Sequence, residues 1–497
     1  MPDRKPDIVV EEEPGVPHRS IGEAERCDVA VVGCGAAGLM AAIWAGRAVR
    51  EAGACGGAGA GRVVALDGAR TLGAKILVAG GGRCNVTHDV VDPGLYAGAS
   101  RAAVRKVLKR FDVPRTAAFF RELGVELKRE PTGKLFPTTD KARTVLDALL
   151  RAAADAGVEV RHPWRVGSVT PIAPEEGGGF LIEEDRGGNG GGRGGNWGGR
   201  RIVARRVILA TGGRSLPKSG SDGRGYTVAR SLGHTVSAAT WPALVPLTLS
   251  DEGVGGRLKA LSGVSAVARL EVRAGSGRKL AELVGSTLCT HFGLSGPGPM
   301  DVSRYWTDAR RSDPGARLVV SWTPDATMDA LDAELLALGT APVGRWLRER
   351  CGGDGSDGQT AGLPERLAEL LCAEAGAAPA ARASDLSRAQ RKALARAAAE
   401  MVVPVSGDRG WNQAEVTAGG VPLGEVDLKT MGSRACPGLH LCGEVLDVDG
   451  RIGGYNFQWA WSSGFVAGMS VGRDAVEGAG SARADEPTAH EKGASPL

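Results

Sequence analysis

The chain has 497 residues, 42% apolar and 24% charged, with a formal net charge of +4. Such a balance fits a soluble chain of about three domains and argues against a dedicated nucleic-acid or anionic-membrane binder. No stretch approaches 18 uninterrupted apolar residues, so no membrane span is expected.

The 76 glycines are roughly twice the usual share of about 7%. Low-complexity tracts and nucleotide-binding turns account for the excess. The polar Met1–Arg26 segment lacks the apolar core of a secretory signal and reads, over residues 1–25, as a disordered tail. Nine cysteines stand at 27, 34, 55, 84, 289, 351, 372, 436 and 442, never as C-x-x-C. The odd, unclustered set predicts reduced thiols in a cytoplasmic protein, with no disulfide framework, no metal site and no dithiol–flavin relay.

Cys27–Val32 is a short β-rich run leading into Gly33-Cys34-Gly35-Ala36-Ala37-Gly38, and a helix-forming stretch follows from Leu39. Strand, G-x-G-x-x-G and helix in that order mark a dinucleotide turn. Gly33 allows the tight turn, Gly35 lets a pyrophosphate approach the backbone, and Gly38 lets the helix pack on the strand. The helix start, with Ala36 and Ala37, offers unpaired N–H groups to phosphate.

The second strand, Arg62–Leu66, ends at Asp67, the expected ribose-binding acid. Asp67 comes later than the usual spacing of about 20 residues, because a Gly/Ala-rich insertion fills 51–61. Glu51 falls nearer that spacing, but no strand precedes it. Further on, Leu72-Gly73-Ala74-Lys75 leads into Gly80-Gly81-Gly82-Arg83-Cys84-Asn85-Val86-Thr87. Successive glycines followed by a cation and an amide give backbone donors that a ligand can approach closely.

At this block the chain resembles the BaiN-like, aminoacetone-oxidase-like family of FAD-dependent oxidoreductases. The remaining blocks follow in the family's order: Gly133–Pro137 with Asp140-Lys141-Ala142, Val207–Gly213, Gly223–Tyr226, Leu232-Gly233-His234, Pro242–Leu247 and Thr290–Pro297. Last come Val416–Val421, Pro437–Gly450 and Gly453-Gly454-Tyr455-Asn456-Phe457-Gln458. The resemblance spans about residues 27–470. The chain departs from the family in the 51–61 insertion, in Asp67 where Glu is usual, and in the Gly-rich tract at 185–199.

The resemblance implies an α/β fold: a discontinuous Rossmann-like FAD-binding domain (26–238 and 431–474), an inserted β-rich substrate domain (239–323 and 401–430) and a small helical cap (324–400). Residues 475–497 read as a second disordered tail. Helical spacing covers 104–125 and 142–156, Val158–Trp164 reads as a strand, and Phe180–Ile182 with Ile202-Val203 reads as a hairpin. The tract within that hairpin, 185–199, reads as a flexible loop.

Expected FAD contacts are the first turn (Gly33, Gly35, Ala36, Ala37, Gly38), Asp67, Lys75, the glycine–cation block (Gly81, Gly82, Arg83, Cys84, Asn85), Val166, and the second turn (Ala210, Thr211, Gly212, Gly213). To these the C-terminal block adds Gly443, Glu444, Asp447, Gly453, Gly454, Tyr455 and Asn456. The helix opened by Gly453-Gly454 can stabilise negative charge on a reduced isoalloxazine.

Arg83 reads either as a clamp for a carboxylate or a flavin oxygen or as half of a structural ion pair. His291, in a Gly/Ser-rich turn, reads as a proton donor or as a hydrogen-bonded structural histidine. Cys84 is reactive only if Arg83 stabilises its thiolate; otherwise it is an inert small residue. His88 and Tyr455 are weaker candidates.

No second strand–glycine–helix unit is present, so NAD(P)H is expected only as a transient co-substrate, unless a small-molecule substrate itself reduces the flavin. The resemblance implies both kinds of activity. The leading reading is a flavin-dependent oxidoreductase of a small organic or enone-type substrate. The alternatives are a flavin-dependent tRNA-modifying enzyme and a non-enzymatic redox-responsive flavoprotein. Nucleic acid is a disfavoured partner, and the sequence is silent on oligomeric state.

Overall fold

A computed structural model of the chain describes residues 24–54, 61–185, 199–350 and 362–484. The insertion core at 55–60, most of the Gly-rich loop (186–198), the segment 351–361 and the outer parts of both expected tails lie outside the described residues.

The apolar run at the start forms the strand Glu25–Val32, whose last four residues are all buried. It is the centre of a parallel sheet. On one side lie Val63–Leu66 and then Val158–Arg161; on the other lie Arg201–Leu209 and then Leu439–Leu441. The third of these strands ends at Arg161, ahead of the expected Trp164, because Pro163 has no N–H to offer a ladder. The expected hairpin is present: Phe180–Glu184 pairs antiparallel with the start of Arg201–Leu209, and Val166–Pro171 adds a third strand. The helical stretch expected over 104–125 is two helices, Arg101–Leu108 and Val113–Glu122. Asp112 breaks it by capping the second, accepting the Arg115 N–H at 3.1 Å, with Pro114 in the first turn.

Two remote helices close over this sheet. Ala36–Ala54 follows the first turn, and Tyr455–Ala484 ends the described chain, running past the boundary expected at 474. Their contact is made by small residues one turn apart. A Cβ added at Gly464 would lie 2.5 Å from the Ala37 carbonyl oxygen, and one at Gly468 2.3 Å from that of Ala41. No larger side chain fits at that approach. The sequence spacing of 464 and 468 therefore locks the C-terminal helix onto the first one.

Residues 247–408 build a second, antiparallel sheet in the order Met401–Val403, Arg317–Ser321, Ser265–Arg273, Lys279–Thr290, Gly293–Ser295, Leu247–Leu249, Val405–Asp408. Helices over 328–399 bury Leu331, Leu347, Leu367, Leu371 and Leu394 in the same core as the sheet residues Leu270, Leu318 and Val320. Sheet and helices here share one apolar interior. Full burial of each such side chain contributes about 1.5–3 kcal/mol.

A two-stranded ribbon, Trp241–Ala243 against Val416–Ala418, joins the two regions. Beyond it the chain rejoins the first core before residue 431. Val421, Leu423 and Val426 pack there, and Val426–Asp427 hydrogen-bonds along the edge of the first sheet.

Candidate active site

The first turn is shaped by glycine. Gly33 has φ 101° and donates to the Leu66 carbonyl at 2.7 Å. A Cβ at Gly38 would lie 1.8 Å from the Gly33 carbonyl oxygen, so only glycine allows the helix to start there. A Cβ at Gly35, by contrast, would meet nothing within 4 Å. It would project into free space, where the backbone borders a cavity of about 650 Å³. That size lies within the range of small-molecule and cofactor pockets.

The cavity gathers segments from across the chain. Gly33, Gly35, Ala36, Ala37, Asp67, Lys75, Gly81, Arg83, Asn85, Ala210, Thr211, Gly212, Gly443, Glu444, Gly453, Gly454 and Asn456 all line it. The first glycine turn and the Gly453-Gly454 turn, remote in sequence, thus border the same space. The N-terminal ends of both long helices open onto it and direct unpaired N–H groups toward any anion bound there. The segment Ala74–Gly82 is not a continuous helix: Ala79 is extended, and Gly80 and Gly81 are left-handed, at φ 57° and 69°. This break turns backbone N–H groups away from helical pairing beside the cavity.

Asp67 sits where the second strand ends. Its carboxylate accepts from the Cys34 N–H at 2.6 Å and the Ala69 N–H at 2.7 Å, which fixes it at the mouth of the first turn. Lys75 and Glu444 form an ion pair at 2.8 Å. Ser215 Oγ lies 2.6 Å from the lysine and donates to the other carboxylate oxygen at 2.9 Å, which also accepts from the Thr417 N–H at 2.9 Å. This network ties the second strand–helix connection, the second glycine turn, the ribbon and the C-terminal block together at the cavity wall.

Three residues of the lining carry buried polar atoms with no partner among the described residues: Asn85 Oδ1, Thr211 Oγ1 and Ser221 Oγ. Buried polar groups are nearly always hydrogen-bonded, so these three leave capacity for a polar ligand.

The other expected contacts lie outside the lining. Gly38 and Gly213 act by packing; a Cβ at Gly213 would lie 2.3 Å from Thr417 Oγ1. Gly82 continues the left-handed run at φ 83°. Asp447 accepts from Ser237 at 2.8 Å, and Tyr455 donates to the Val90 carbonyl at 3.2 Å. Val166 is buried in the three-stranded meander. Cys84 is fully buried, and burial pushes its thiol up to about 12, which favours the inert small residue over the reactive thiolate.

Two proposed chemical roles change as well. Arg83 reaches the cavity, but its guanidinium donates to Glu130 at 2.6 Å and lies 4.1 Å from the Phe136 ring centroid. The ion-pair reading is the one the geometry shows. His291 is exposed in the turn after Lys279–Thr290 with its ring against Phe292, and does not line the cavity. A Gly/Ser-rich turn beside an imidazole marked a tight hairpin instead of a site.

Sequence reasoning passed over other wall residues. Lys134 and Phe136 come from the strand Lys134–Pro137; Leu244, Asn412, Gln413 and Glu415 flank the ribbon; Ile452 and Phe457 flank the C-terminal turn. Lys134 and Phe136 stand inside the recognised Gly133–Pro137 block, which was the available signal. Glu415 immediately precedes the Val416 block and carried none. Near the wall, Asp301 accepts from the Ile452 N–H at 2.7 Å, and burial raises its carboxyl to about 6.

A glycine turn after the first strand of a parallel sheet, an acid ending the second, and a remote helix N-terminus over one cavity define a Rossmann-type dinucleotide flavoprotein. The comparisons agree. The family model described as the HI0933-like protein Rossmann domain matches residues 27–470, and the chain belongs to that family of FAD-dependent oxidoreductases.

The chain is 33% identical over 447 residues to the 3-dehydro-bile acid delta(4,6)-reductase of Clostridium scindens, covering 89% of this chain and 98% of the relative. It is 31% identical over 448 residues to the ribosomal RNA dihydrouridine synthase of Escherichia coli, covering 90% and 98%. Among solved structures, the 3-ketosteroid-delta4-(5alpha)-dehydrogenase of Rhodococcus jostii aligns with a TM-score of 0.45 at 15% identity, over 92% of this chain and 98% of the other. FAD is the cofactor of the family, and the open space at Gly35, the three unpartnered polar atoms and the two helix starts fit it. No helix among the described residues is long and apolar enough to cross a membrane.

Proposed function

We propose that this flavoenzyme is a reductase that saturates a carbon–carbon double bond conjugated to a carbonyl in a small planar substrate. The observation that supports the reading is that residues beyond the expected dinucleotide contacts line the same cavity. The glycine turns line it, and so do Leu244, Phe136, Ile452 and the polar Asn412–Glu415 segment, which none of the expected dinucleotide contacts requires. Two relatives support the class of reaction: one is named a 3-dehydro-bile acid delta(4,6)-reductase and the other a ribosomal RNA dihydrouridine synthase.

In this reading Gly33, Gly35, Ala36 and Ala37 receive the pyrophosphate, Asp67 the ribose, and Thr211, Gly212, Asn85, Gly81, Gly453, Gly454 and Asn456 the remainder of FAD. FAD, when bound, would supply the hydride chemistry, with NAD(P)H as a transient reductant. The protein's part is to orient the alkene, exclude water with the apolar wall and hold the carbonyl.

A second reading, uracil within RNA, is favoured by one feature. A groove of about 600 Å³ is lined by Arg165, Arg214, Arg224 and Arg230 against the single acid Asp222. Arg214 and Arg230 have no ion pair among the described residues, and Arg214 lies over the Trp411 ring at 4.6 Å.

The test is anaerobic reduction of the yellow holoprotein by NADH and by NADPH, followed by mixing with 4-androstene-3,17-dione, 2-cyclohexen-1-one, uridine or ribosomal RNA. Re-oxidation of the flavin by an enone or by uridine supports the reductase reading. Re-oxidation by RNA alone, with salt-sensitive binding, shifts the function to the second reading. Reduction by amines and re-oxidation by oxygen only would replace both with an oxidase.

A further inference from the structure

Two charged side chains of the cavity wall are absorbed by nothing described so far. Lys134 extends from the strand Lys134–Pro137 past the C-terminal turn; a Cβ at Gly453 would lie 3.6 Å from its Cε. Its ammonium makes no ion pair or hydrogen bond among the described residues, in contrast to Lys75, which is held by Glu444 and Ser215. Glu415 reaches the wall from the opposite structural region. Its backbone is anchored on both sides, the N–H donating to the Leu244 carbonyl at 3.1 Å and the carbonyl accepting from Ser215 Oγ at 3.1 Å. Its carboxyl has no partner among the described residues, and the residue, exposed overall, borders the cavity.

Resting on the reductase reading, we propose that Lys134 and Glu415 are the reacting pair of this cavity, Lys134 holding the substrate carbonyl oxygen and Glu415 giving a proton to the carbon beside that carbonyl. The step balances. The β-carbon of the alkene accepts a hydride, with its electron pair, from reduced FAD. The C=C pair moves onto the carbonyl oxygen as an enolate, whose charge the Lys134 ammonium stabilises. The enolate re-forms the carbonyl as its α-carbon takes the Glu415 proton, and the carboxylate left behind is reprotonated from solvent. The substrate gains two hydrogens and FAD returns to the oxidised state.

The Lys134 ammonium nitrogen and the Glu415 carboxylate oxygens are more than 4 Å apart, since they form no ion pair, and Glu415 still lies within the field of Lys134. A direct salt bridge would have locked Glu415 as a carboxylate and left no room for an oxygen beside Lys134. Desolvation against the wall disfavours the charged carboxylate and raises the Glu415 carboxyl above its ordinary value. Lys134 and Lys75 oppose that rise, and Asp301, on the helix Pro297–Ser312, is near enough to be raised further by the Glu415 charge. A carboxyl whose charged form is disfavoured is better suited to give up a proton to a carbon.

The experiment uses FAD-loaded wild type, Glu415→Gln and Lys134→Met, with FAD content as the check on folding. Each is reduced with dithionite and mixed anaerobically with 4-androstene-3,17-dione, 2-cyclohexen-1-one or uridine, or with ferricyanide as a carbonyl-free oxidant. Glu415→Gln is expected to slow alkene-driven re-oxidation about 100-fold or more and to leave ferricyanide re-oxidation unchanged. The wild-type rate should fall as pH rises through the Glu415 titration, that dependence should vanish in Glu415→Gln, and it should move to higher pH in Lys134→Met.

A Glu415→Gln rate within about threefold of wild type, a far smaller loss than proton-donor removal causes, overturns the proposal while leaving the reductase reading intact. If no alkene re-oxidises the wild type, the reductase reading fails for these substrates. The proposal is then decided by the pH titration of the oxidised flavin's absorbance, which must lose a transition in Glu415→Gln; an unchanged titration overturns it.

Discussion

The two cores of this molecule obey different rules. In the parallel-sheet core, glycines stand where nothing else fits, as at Gly38, Gly464 and Gly468, where an added Cβ would fall within 2.5 Å of a backbone carbonyl oxygen. In the antiparallel core the same constraint appears at Gly256 and Gly293, where an added Cβ would lie 2.1 Å and 2.2 Å from the Asp251 and Leu247 carbonyl oxygens, but neither glycine borders the cavity, and the interior is mostly Leu, Val and Ala. No described residue between 247 and 411 lines the cavity. In one region close backbone approach shapes a ligand cavity; in the other it serves the sheet and its turns, and that region meets the cavity wall through the ribbon and through the Asp301–Ile452 contact. Close backbone approach leaves a mark in sequence that generic packing does not.

That contrast can be broken most sharply by a pair of substitutions. Gly38→Ala places a methyl 1.8 Å from the Gly33 carbonyl oxygen. The turn must open, and the expected outcome is protein without FAD, seen as loss of yellow colour on purification. Leu331→Ala in the second core, at a fully buried position, should cost about 2–5 kcal/mol by denaturant titration yet leave FAD affinity unchanged. Loss of FAD from Leu331→Ala would show that the two cores are energetically one.

A smaller effect concerns the seam between them. Asp301 belongs to a helix of the second region and accepts from Ile452 of the first. Its carboxyl is raised from 3.8 to about 6, so the folded protein holds a proton that the unfolded chain releases. The stability this contributes is complete below the unfolded value and is lost as pH rises through about 6. Asp301→Asn keeps an acceptor for the Ile452 N–H and removes the titration. Melting temperature measured from pH 4 to 7 should therefore drift downward more in wild type than in the variant, by a few degrees at about 2–4 °C per kcal/mol. Parallel curves would show that Asp301 is not proton-linked to folding.

The same contrast explains what was legible in the sequence. The strand, Gly33–Gly38 and helix could be read because each glycine answers a backbone demand, and Asp67 because an acid ending the second strand has one place to go. The family blocks around Gly81 and Gly453 added segments that no local rule would have joined, since their meeting depends on the crossing of two remote helices. Lys134 and Glu415 were not legible as a pair. Lys134 sits in a recognised block as one more surface-type cation, and Glu415 sits at the edge of a short strand; only the fold brings their side chains to one cavity. His291 shows the converse: a suggestive residue in a suggestive turn that the second sheet carries to the surface. Arg83 shows that position and role separate, for it reaches the wall while its charge is spent on Glu130.

The account's centre is that the first glycine turn and the distant C-terminal turn hold one FAD between them, and Gly35 tests it with least disturbance. A Cβ there meets no protein atom within 4 Å, so Gly35→Ala should melt as the wild-type apoprotein does. In an FAD titration of the two apoproteins, the variant is predicted to bind at least about tenfold more weakly, a loss of about 1.4 kcal/mol. Equal FAD affinity in Gly35→Ala and wild type would contradict it.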